Sequence, residues 1–381
     1  MSADKTIVIK NISSYDDTAS LRAAVREMFS RAPFAGGIAA DKKVLVKLNA
    51  LMKARPDEAV TTHPAVVSAV IAELKSLGAK NIILADSPSG AFGRARISGI
   101  FESAGFAALE GEGVSLYRGD EAVTVSGSGA IRDFEILKCI AEADIKIGVG
   151  KLKTHALTGM TGAVKLWFGA VPGLKKAELH CRFPDKGDFA DMLCSLYNAV
   201  APDFSVIDAV EGMQGNGPSG GIKRAFGFVA GGADGFWLDR ALCRMLGLPP
   251  DRALTVKSSI AGSLAPADAG EISVEGDADL MRSPLADLVM PDTFKGAGGG
   301  ASDGALKRFL KGILTPRPQI RAKDCVGCGA CAEICPRGAI EIAQGKARID
   351  RKSCMRCFCC HEVCPQRAVD IAANLIFRVM R

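Results

Sequence analysis

The residues in this sequence with the clearest chemistry are cysteines near its C-terminal end, which form two copies of the pattern C-x2-C-x2-C-x3-C-P. Three thiolates at this spacing let a short loop fold around one face of an iron–sulfur cube, and the fourth cysteine ligates the cube of the other copy. The pattern therefore predicts two 4Fe-4S clusters. The predicted ligands are Cys325, Cys328, Cys331 and Cys364 for one cluster, and Cys354, Cys357, Cys360 and Cys335 for the other.

Zinc is the alternative metal for such cysteines. Zinc sites use two C-x2-C pairs separated by a longer spacer, whereas here each cysteine triplet is followed by Cys-Pro, so iron–sulfur ligation is favoured. Nine of the thirteen cysteines lie in the last sixty residues, which is typical of metal ligands in a reducing compartment rather than of disulfides. Cys359 fits neither ligand set and is predicted to be a packing residue. His361 is predicted to lie on an exposed loop.

A second group of chemically useful residues lies in "GKLKTHALTGMTGAVK", residues 150–165. Its lysines supply positive charge, its threonines supply hydroxyl donors, and its glycines expose backbone amides at the predicted start of a helix, which together favour an anion site. A solvated surface loop remains the alternative. The candidate binding residues here and elsewhere are Lys47, Asn49, Lys151, Thr154, Thr158, Thr161, Lys165 and Asn216, and the candidate catalytic residues are His155, His63 and Lys153.

Polar groups also follow other predicted strands. Asp86 is the last residue of one of them, and Asp208 and Glu211 lie at the end of another. Because the carboxyl ends of parallel strands meet at one edge of a sheet, we expect these groups to lie near the lysine-rich stretch. The three carboxylates are candidates for an additional metal or, as often occurs at strand ends, for helix caps.

The elements that position these residues follow from hydrophobic periodicity. Apolar, β-branched runs alternate with helical patterns, which predicts an α/β fold with a mainly parallel, Rossmann-like sheet covered by helices on both faces. A small α+β ferredoxin-type domain is expected at the C-terminal end. The predicted strands are 43–48, 81–86, 144–150 and 204–211, and the clearest helices are 64–79 and 188–200.

The same patterns predict the domain organisation. An α/β domain spans 1–295, with its core at about 40–260, and a two-cluster ferredoxin domain spans 319–381. Between them, residues 296–318 are expected to form a Gly-rich linker and a short helix. The final stretch "ANLIFRVMR" is predicted to be a docking helix for a partner or a cap on the core of the ferredoxin domain.

Composition and missing motifs exclude several classes of function. The net charge is +6, of which +5 lies in residues 319–381, but two oxidised clusters of about −2 each would nearly cancel this excess, so nucleic-acid binding is not expected. No apolar run is long enough to span a bilayer, which predicts a soluble cytoplasmic protein without a transmembrane segment. The glycine run "GNGPSG" lacks the following helix of a dinucleotide site, and Walker and radical S-adenosylmethionine motifs are absent.

Three stretches carry a resemblance to a known family: "VLVKLNALMKARPDEAVTTHP", "KLKTHALTGMTGAVKLWFGAVPGLKKAELH" and "DAVEGMQGNGPSGG". They resemble the bacterial and archaeal family named domain of unknown function 362, which is often fused to a two-cluster ferredoxin. The C-terminal module is similar to bacterial two-cluster ferredoxins over its full length. That second resemblance implies electron transfer between neighbouring clusters, whereas the first implies no particular activity.

These observations favour an oxidoreductase that takes electrons from a redox partner protein and delivers them through the clusters to a small anionic substrate. Histidine would supply a proton near neutral pH. Because each cluster passes single electrons, an additional flavin or metal remains open. The alternatives are a non-enzymatic electron carrier or redox-responsive binding protein, and a transferase or isomerase with structural clusters.

Overall fold

The computed structural model describes residues 4–91, 93–128, 131–294 and 315–372. It confirms a mixed α/β fold with a mainly parallel central sheet, followed by a small domain that contains β-strands. The strands before residue 295 are β1 (Ile7–Asn11), β2 (Lys43–Lys47), β3 (Asn81–Ala85), β4 (Val114–Leu116), β5 (Ala122–Ser126), β6 (Asp133–Leu137), β7 (Ile145–His155), β8 (Gly159–Thr161), β9 (Phe204–Gln214), β10 (Ile222–Gly232) and β11 (Val274–Gly276).

Helices cover both faces of this sheet, and their buried side chains form apolar clusters on each side. Proline in the first turn of the second helix supplies a fixed φ where no backbone donor is needed. The α-helices are α1 (Thr18–Phe29), α2 (Pro64–Ser76), α3 (Arg94–Ser103), α4 (Lys138–Ala141), α5 (Ala163–Leu166), α6 (Lys175–Arg182), α7 (Lys186–Val200), α8 (Gly235–Met245), α9 (Leu254–Ala261) and α10 (Asp279–Arg282).

The strand order of the central sheet is β11-β1-β10-β9-β7-β2-β3-β4, with β8 paired to the end of β7. β7 lies between β2 and β9 and is parallel to both. β10 is antiparallel to both of its neighbours, β9 and β1. The carboxyl ends of β2, β3 and β7 therefore lie side by side near the middle of the sheet, where ligands bind in open sheets of this type.

β7 is longer than the sequence predicts. The expected strand ends at Gly150, but the observed strand continues to His155, because its last residues pair with β9 on one side and with β8 on the other. Lys151 and Lys153 therefore lie on a strand rather than on a loop. Their spacing of two residues directs both side chains to the same face of the sheet.

The C-terminal domain contains β12 (Arg317–Ile320), α11 (Ala330–Glu333), β13 (Ile340–Ala343), β14 (Lys346–Ile349), α12 (Cys359–Glu362) and β15 (Val369–Ala372). It packs on the α/β domain through a buried apolar cluster of Ala156, Phe358 and Ile371. The Arg367 guanidinium also donates to Glu58 Oε1 at 2.7 Å across this interface. Most of the predicted linker and its short helix, and the predicted docking helix at 373–381, lie outside the described residues.

None of the helices in the described ranges has both the length and the hydropathy that a bilayer-spanning helix needs.

Candidate cluster-binding and anion-binding sites

The first predicted set of cluster ligands lies together. Cys325, Cys328, Cys331 and Cys364 line one cavity of about 20 Å³. The loop turns tightly at Gly327, where φ is +67° and a Cβ atom would overlap the backbone of Gly345, in the turn between β13 and β14. Four thiols around one small cavity are the donor set that a 4Fe-4S cube requires.

The thiols of this set also receive backbone hydrogen bonds. The Ala347 N–H donates to Cys325 Sγ at 3.4 Å, and the Ala368 N–H donates to Cys364 Sγ at 3.2 Å. Backbone donors lower the pKa of the Cys325 thiol, whereas burial, with the charges of neighbouring cysteines, raises the pKa of Cys331 to about 11. N–H groups aimed at sulfur stabilise thiolates and are one means by which proteins tune cluster potentials.

The cysteines of the second predicted set act on one another electrostatically. Burial, together with the charges of Cys357, Cys354, Cys331 and Cys335, raises the pKa of the Cys360 thiol well above its usual range. The Ala339 N–H donates to Cys335 Sγ at 3.2 Å, as the equivalent residue does in the other copy of the repeat. The cavity lined by Cys325, Cys328, Cys331 and Cys364 matches the first predicted ligand set. Within the described ranges no three His, Cys, Asp or Glu side chains are already spaced as ligands of one metal ion, so the crossed assignment of ligands to two clusters stays a prediction.

Two residues beside the predicted cysteine ligands, Cys359 and His361, are both buried. Cys359 is buried at the start of α12, as expected for a packing residue. His361 is buried, which corrects the expectation of an exposed loop histidine. Its Nδ1 lies 2.6 Å from the Val369 carbonyl oxygen and its Nε2 lies 2.9 Å from the Asn216 carbonyl oxygen. The ring therefore joins the C-terminal domain to the α/β domain.

A cavity of about 70 Å³ lies at the carboxyl ends of β2, β3 and β7. We call it the lysine cavity, because five lysines line it and only two carboxylates accompany them. Two of the lysines lie on β7, and the other three lie on β2, α5 and α6. The lysines are Lys47, Lys151, Lys153, Lys165 and Lys176, and the carboxylates are Asp86 and Glu362.

Lys47 forms a buried ion pair. Its Nζ lies 2.6 Å from Asp86 Oδ1, and both side chains are almost fully buried. The Asp86 carboxylate also accepts from the Ala50 N–H at 2.6 Å and the Ser87 N–H at 2.8 Å, so its lone pairs are well occupied. A Cβ atom at Gly169 would overlap both charged groups. Glycine at 169 therefore leaves the space that this pair fills.

Lys151 is held by a second buried network. Its Nζ donates to the Tyr15 hydroxyl at 2.7 Å and to Asp208 Oδ2 at 2.9 Å. Tyr15 in turn donates to Asp208 Oδ1 at 2.8 Å and accepts from the Glu211 N–H at 3.0 Å. The Tyr15 ring stacks on His63 at 3.6 Å between centroids. This network fixes the Lys151 ammonium and uses two of its three protons.

Lys153 and Lys176 are buried, and their hydrogen bonds within the described ranges go to carbonyl oxygens. Lys153 Nζ donates to the Val60 carbonyl oxygen at 2.7 Å, and Lys176 Nζ donates to those of Ser87 and Val171. Burial, with the charges of neighbouring lysines, lowers the pKa of Lys153 to about 7. Burial likewise lowers the pKa of Lys176 to about 7. Among the described residues no carboxylate forms an ion pair with either ammonium, so both have donor capacity for a ligand.

Lys165 has the most donor capacity of the five lysines. Its Nζ lies 5.9 Å from the centre of the Phe168 ring, and no hydrogen bond within the described ranges engages it. Burial lowers the pKa of Lys165, and the charge of Glu362 opposes that shift. The short helix α5 that carries Lys165 is held by Asp239, which accepts from the N–H groups of Ala163 and Val164 at 2.6 and 3.1 Å.

Glu362 reaches the lysine cavity from the C-terminal domain. Its Oε1 lies 3.1 Å from His155 Nε2, although the two atoms are not aligned for a full hydrogen bond. His155 Nδ1 accepts from the N–H groups of Leu157 and Thr158, so the ring proton lies on Nε2 and faces Glu362. Burial lowers the pKa of His155 to about 4, so the ring is neutral at pH 7. Burial raises the pKa of Glu362, but His155 and Lys165 outweigh this and lower it below its usual range.

The structure gathers about half of the predicted binding and catalytic residues. Those that line the lysine cavity are Lys47, Asn49, Lys151, Lys153, Thr161 and Lys165. Those that do not line it are His155, His63, Thr154, Thr158 and Asn216. The threonines Thr154 and Thr158 donate to backbone carbonyl oxygens, and His63 caps α2 by accepting from the Ala65 N–H. Asn216 bonds with Asp292.

Sequence reasoning missed three important residues. Lys176 follows Lys175 in sequence, and nothing in the pattern separates the buried lysine from its exposed neighbour. Glu362 aligns with Glu333 in the cysteine repeat. This alignment indicates that the cysteine module is duplicated, but it does not indicate that Glu362 contacts the α/β domain. Tyr15 lies far from the other residues in sequence, and it contacts Lys151 from the segment that follows β1, which is paired with β10.

The chain combines an α/β domain with a smaller C-terminal domain that carries the cysteine repeat. Residues 44–244 match the family described as "Domain of unknown function (DUF362)", and residues 318–368 match the "4Fe-4S dicluster domain" family. The first match covers more than half of the chain. The protein therefore belongs to the DUF362 family and carries a 4Fe-4S dicluster domain at its C-terminal end.

The chain is also similar to the thylakoid-associated protein sll1697 of Synechocystis sp. The two are 34% identical over 251 residues, which cover 65% of this chain and 76% of the relative. Among solved structures, the lactate racemase apoprotein from Thermoanaerobacterium thermosaccharolyticum matches with a TM-score of 0.36 and 15% identity, over 61% of this chain and 55% of that chain. This chain thus spans about half the length of that structure.

Proposed function

We propose that this protein is an oxidoreductase in which two 4Fe-4S clusters pass electrons from a redox partner protein to a small anionic substrate in the lysine cavity. The observation that carries the proposal is the position of Glu362. This residue lines the lysine cavity and lies between the cluster ligands Cys360 and Cys364 in sequence. The substrate site and the cluster-binding loop therefore share a residue.

The charge balance of the lysine cavity supports an anionic substrate. Lys47 is paired with Asp86, and Lys151 is paired with Asp208. The other three lysines of the cavity face the single carboxylate of Glu362. Unpaired buried charge is costly, so a ligand that brings about two negative charges would stabilise this arrangement. Small dicarboxylates and phosphorylated or sulfated compounds have this charge.

The lowered pKa values of two lysines support a role in proton transfer. Reduction of an organic group takes up protons as well as electrons, and a proton donor works best when its pKa lies near the ambient pH. Lys153 and Lys176 each have a pKa of about 7 and line the lysine cavity. We assign the proton donor to one of these lysines. His155 is less suited, because its ring nitrogens already serve the backbone and Glu362.

Two clusters give the protein the capacity to supply an electron pair, which answers the need for two-electron reduction without a further cofactor. The cytoplasm is the compartment that we propose, because its reducing conditions keep the many free cysteines and the cluster ligands intact.

The test uses the full-length holoprotein, purified without oxygen. Native mass spectrometry first identifies any small molecule that remains bound. The clusters are then reduced, and their reoxidation by candidate carboxylates, phosphate esters and sulfonates is followed by the return of visible absorbance. We expect at least one anionic compound to reoxidise the clusters and Lys153→Met to slow this step strongly.

Lys80→Met is the matched control, because Lys80 is an exposed lysine of the same domain. It should reoxidise at the wild-type rate. If no anion reoxidises the clusters faster than buffer does, or if Lys153→Met and Lys80→Met behave alike, the proposed activity is wrong and a pure electron carrier is the better assignment.

A further inference from the structure

Glu362 has a position that the proposed activity does not by itself require. Its backbone belongs to α12 in the C-terminal domain, whereas its side chain enters a cavity formed by the α/β domain. The carbonyl oxygens of His361 and Glu362 each accept from the Ser219 hydroxyl at 3.3 Å. This part of the cluster-binding loop is therefore anchored directly to the α/β domain.

The Glu362 carboxylate is incompletely satisfied by protein groups. Its side chain is 10% exposed, and within the described ranges its close polar contact is the neutral ring of His155, whose Nε2 lies 3.1 Å from Oε1. A carboxylate has about four acceptor positions, so most of its capacity is directed to the lysine cavity. Burial lowers the pKa of Lys153, Lys165 and Lys176, and the charge of Glu362 opposes that shift in all three. Glu362 thus contributes negative charge to the cavity that these lysines line, although within the described ranges no lysine Nζ lies within 4.0 Å of its carboxylate.

An anionic ligand needs the same lysines and is repelled by the same carboxylate. Glu362 also lies two residues from one cluster ligand on each side, Cys360 and Cys364. Reduction would add a negative charge to a cluster held by this loop, and that charge would repel the Glu362 carboxylate. The two negative groups, ligand and Glu362, then compete more strongly.

We propose that Glu362 is a built-in competitor for the anion in the lysine cavity and that it links anion binding to the redox state of the clusters. This inference rests on the anion site of the proposed function and identifies the residue that sets its affinity. The oxidised protein binds the anion more tightly, and by reciprocity the bound anion lowers the midpoint potential of the clusters. Substrate binding thereby makes the clusters stronger reductants.

The experiment uses inorganic sulfate as the probe, because sulfate is a fixed dianion that the clusters do not reduce under these conditions. Midpoint potentials of the anaerobic holoprotein are measured by electron paramagnetic resonance during titration with redox mediators, across a range of sulfate concentrations. We expect sulfate to bind about 10-fold more weakly to the reduced protein. For a one-electron couple, this factor corresponds to a potential about 59 mV lower at saturating sulfate.

Two variants isolate the contribution of Glu362. In Glu362→Gln, sulfate should bind the oxidised protein about 10-fold more tightly, because the like charge is gone, and the difference between redox states should shrink. Glu362→Asp keeps the charge and should keep the linkage. Glu333→Gln is the matched control, since Glu333 occupies the equivalent position of the repeat but is exposed.

Several results would overturn the proposal. The first is a wild-type potential that does not change with sulfate, which needs no variant to observe. The second is a redox difference that persists unchanged in Glu362→Gln, because direct repulsion between cluster and anion then explains it. Failure of the proposed activity is a separate outcome, since these equilibrium measurements use a probe that is not turned over and can succeed when no substrate reoxidises the clusters.

Discussion

The pH dependence of anion binding provides the sharpest test of the lysine cavity. Lys153 and Lys176 each have a pKa of about 7 in the protein. A bound dianion favours the charged form of both lysines, so binding should take up protons whenever they are partly neutral. Affinity is then highest below pH 7, where both are already protonated, and it decreases as the pH rises above 7.

The size of the effect follows from these two pKa values. If both lysines stay protonated in the complex, the Kd for sulfate rises about 100-fold from pH 6 to pH 8, and about 30-fold of this rise falls between pH 7 and pH 8. Proton uptake should be about 0.2 per sulfate at pH 6 and about 1.8 at pH 8. His155 does not contribute in this range, because burial lowers its pKa to about 4.

Isothermal titration calorimetry measures both quantities. Sulfate is titrated into the oxidised holoprotein in pairs of buffers with different ionisation enthalpies, which gives the proton uptake directly. Lys176→Met leaves one titrating lysine and should reduce the ratio between pH 6 and pH 8 to about 10-fold. A Kd that changes by less than about 3-fold over this range would refute the reasoning, because the two buried lysines would then not titrate near neutrality.

The remaining predictions concern single groups. Lys165→Met should weaken sulfate binding by about 10- to 100-fold, because a lost charge-assisted hydrogen bond costs about 1.5–3 kcal/mol. Lys80→Met should bind sulfate as the wild type does. If the two variants bind sulfate with equal affinity, the Lys165 ammonium has no role in anion binding. Gly169→Ala should lower the free energy of unfolding by about 1–3 kcal/mol and abolish sulfate binding, because the added methyl group displaces the Lys47–Asp86 pair. Thermal denaturation measures the loss of stability, and calorimetry measures the loss of sulfate binding. Cys325→Ser should reduce the iron content from about eight to about four atoms per chain, whereas Cys359→Ser should retain all of the iron. Iron and sulfide analysis measures both variants. Loss of iron from Cys359→Ser would mean that Cys359 is a cluster ligand.

Strong local patterns predicted the fold class and the middle strands of the central sheet. Apolar β-branched runs located β2, β3 and β9 to within a few residues, because strands covered on both faces must be apolar throughout. The end of β7 was predicted less well. Its last five residues, from Lys151 to His155, include two lysines and a histidine, which local propensity assigns to a loop. They extend as a strand because β8 and β9 pair with them, and such pairing depends on residues distant in sequence.

The candidate site shows the same limit. The 4Fe-4S domain was predictable because the cysteine spacing alone restricts the geometry, whereas the assignment of each ligand stays a prediction. Lys151 and Lys153 were predictable because they follow an apolar strand. Lys176 and Glu362 were not, since each reaches the lysine cavity only after helices and domains pack, and an isolated lysine or glutamate in a sequence is most often solvated.

The cavity also shows why the C-terminal domain is not an interchangeable attachment. A free-standing ferredoxin fused in its place would supply the clusters but would lack a glutamate that enters the α/β domain and a histidine ring that bridges the two parts. The lysines would then lose a buried counter-charge and the cavity would lose part of its lining. A ferredoxin-type domain can therefore be exchanged between such fusion proteins only if the residues between its cysteines fit the surface of the α/β domain that they contact.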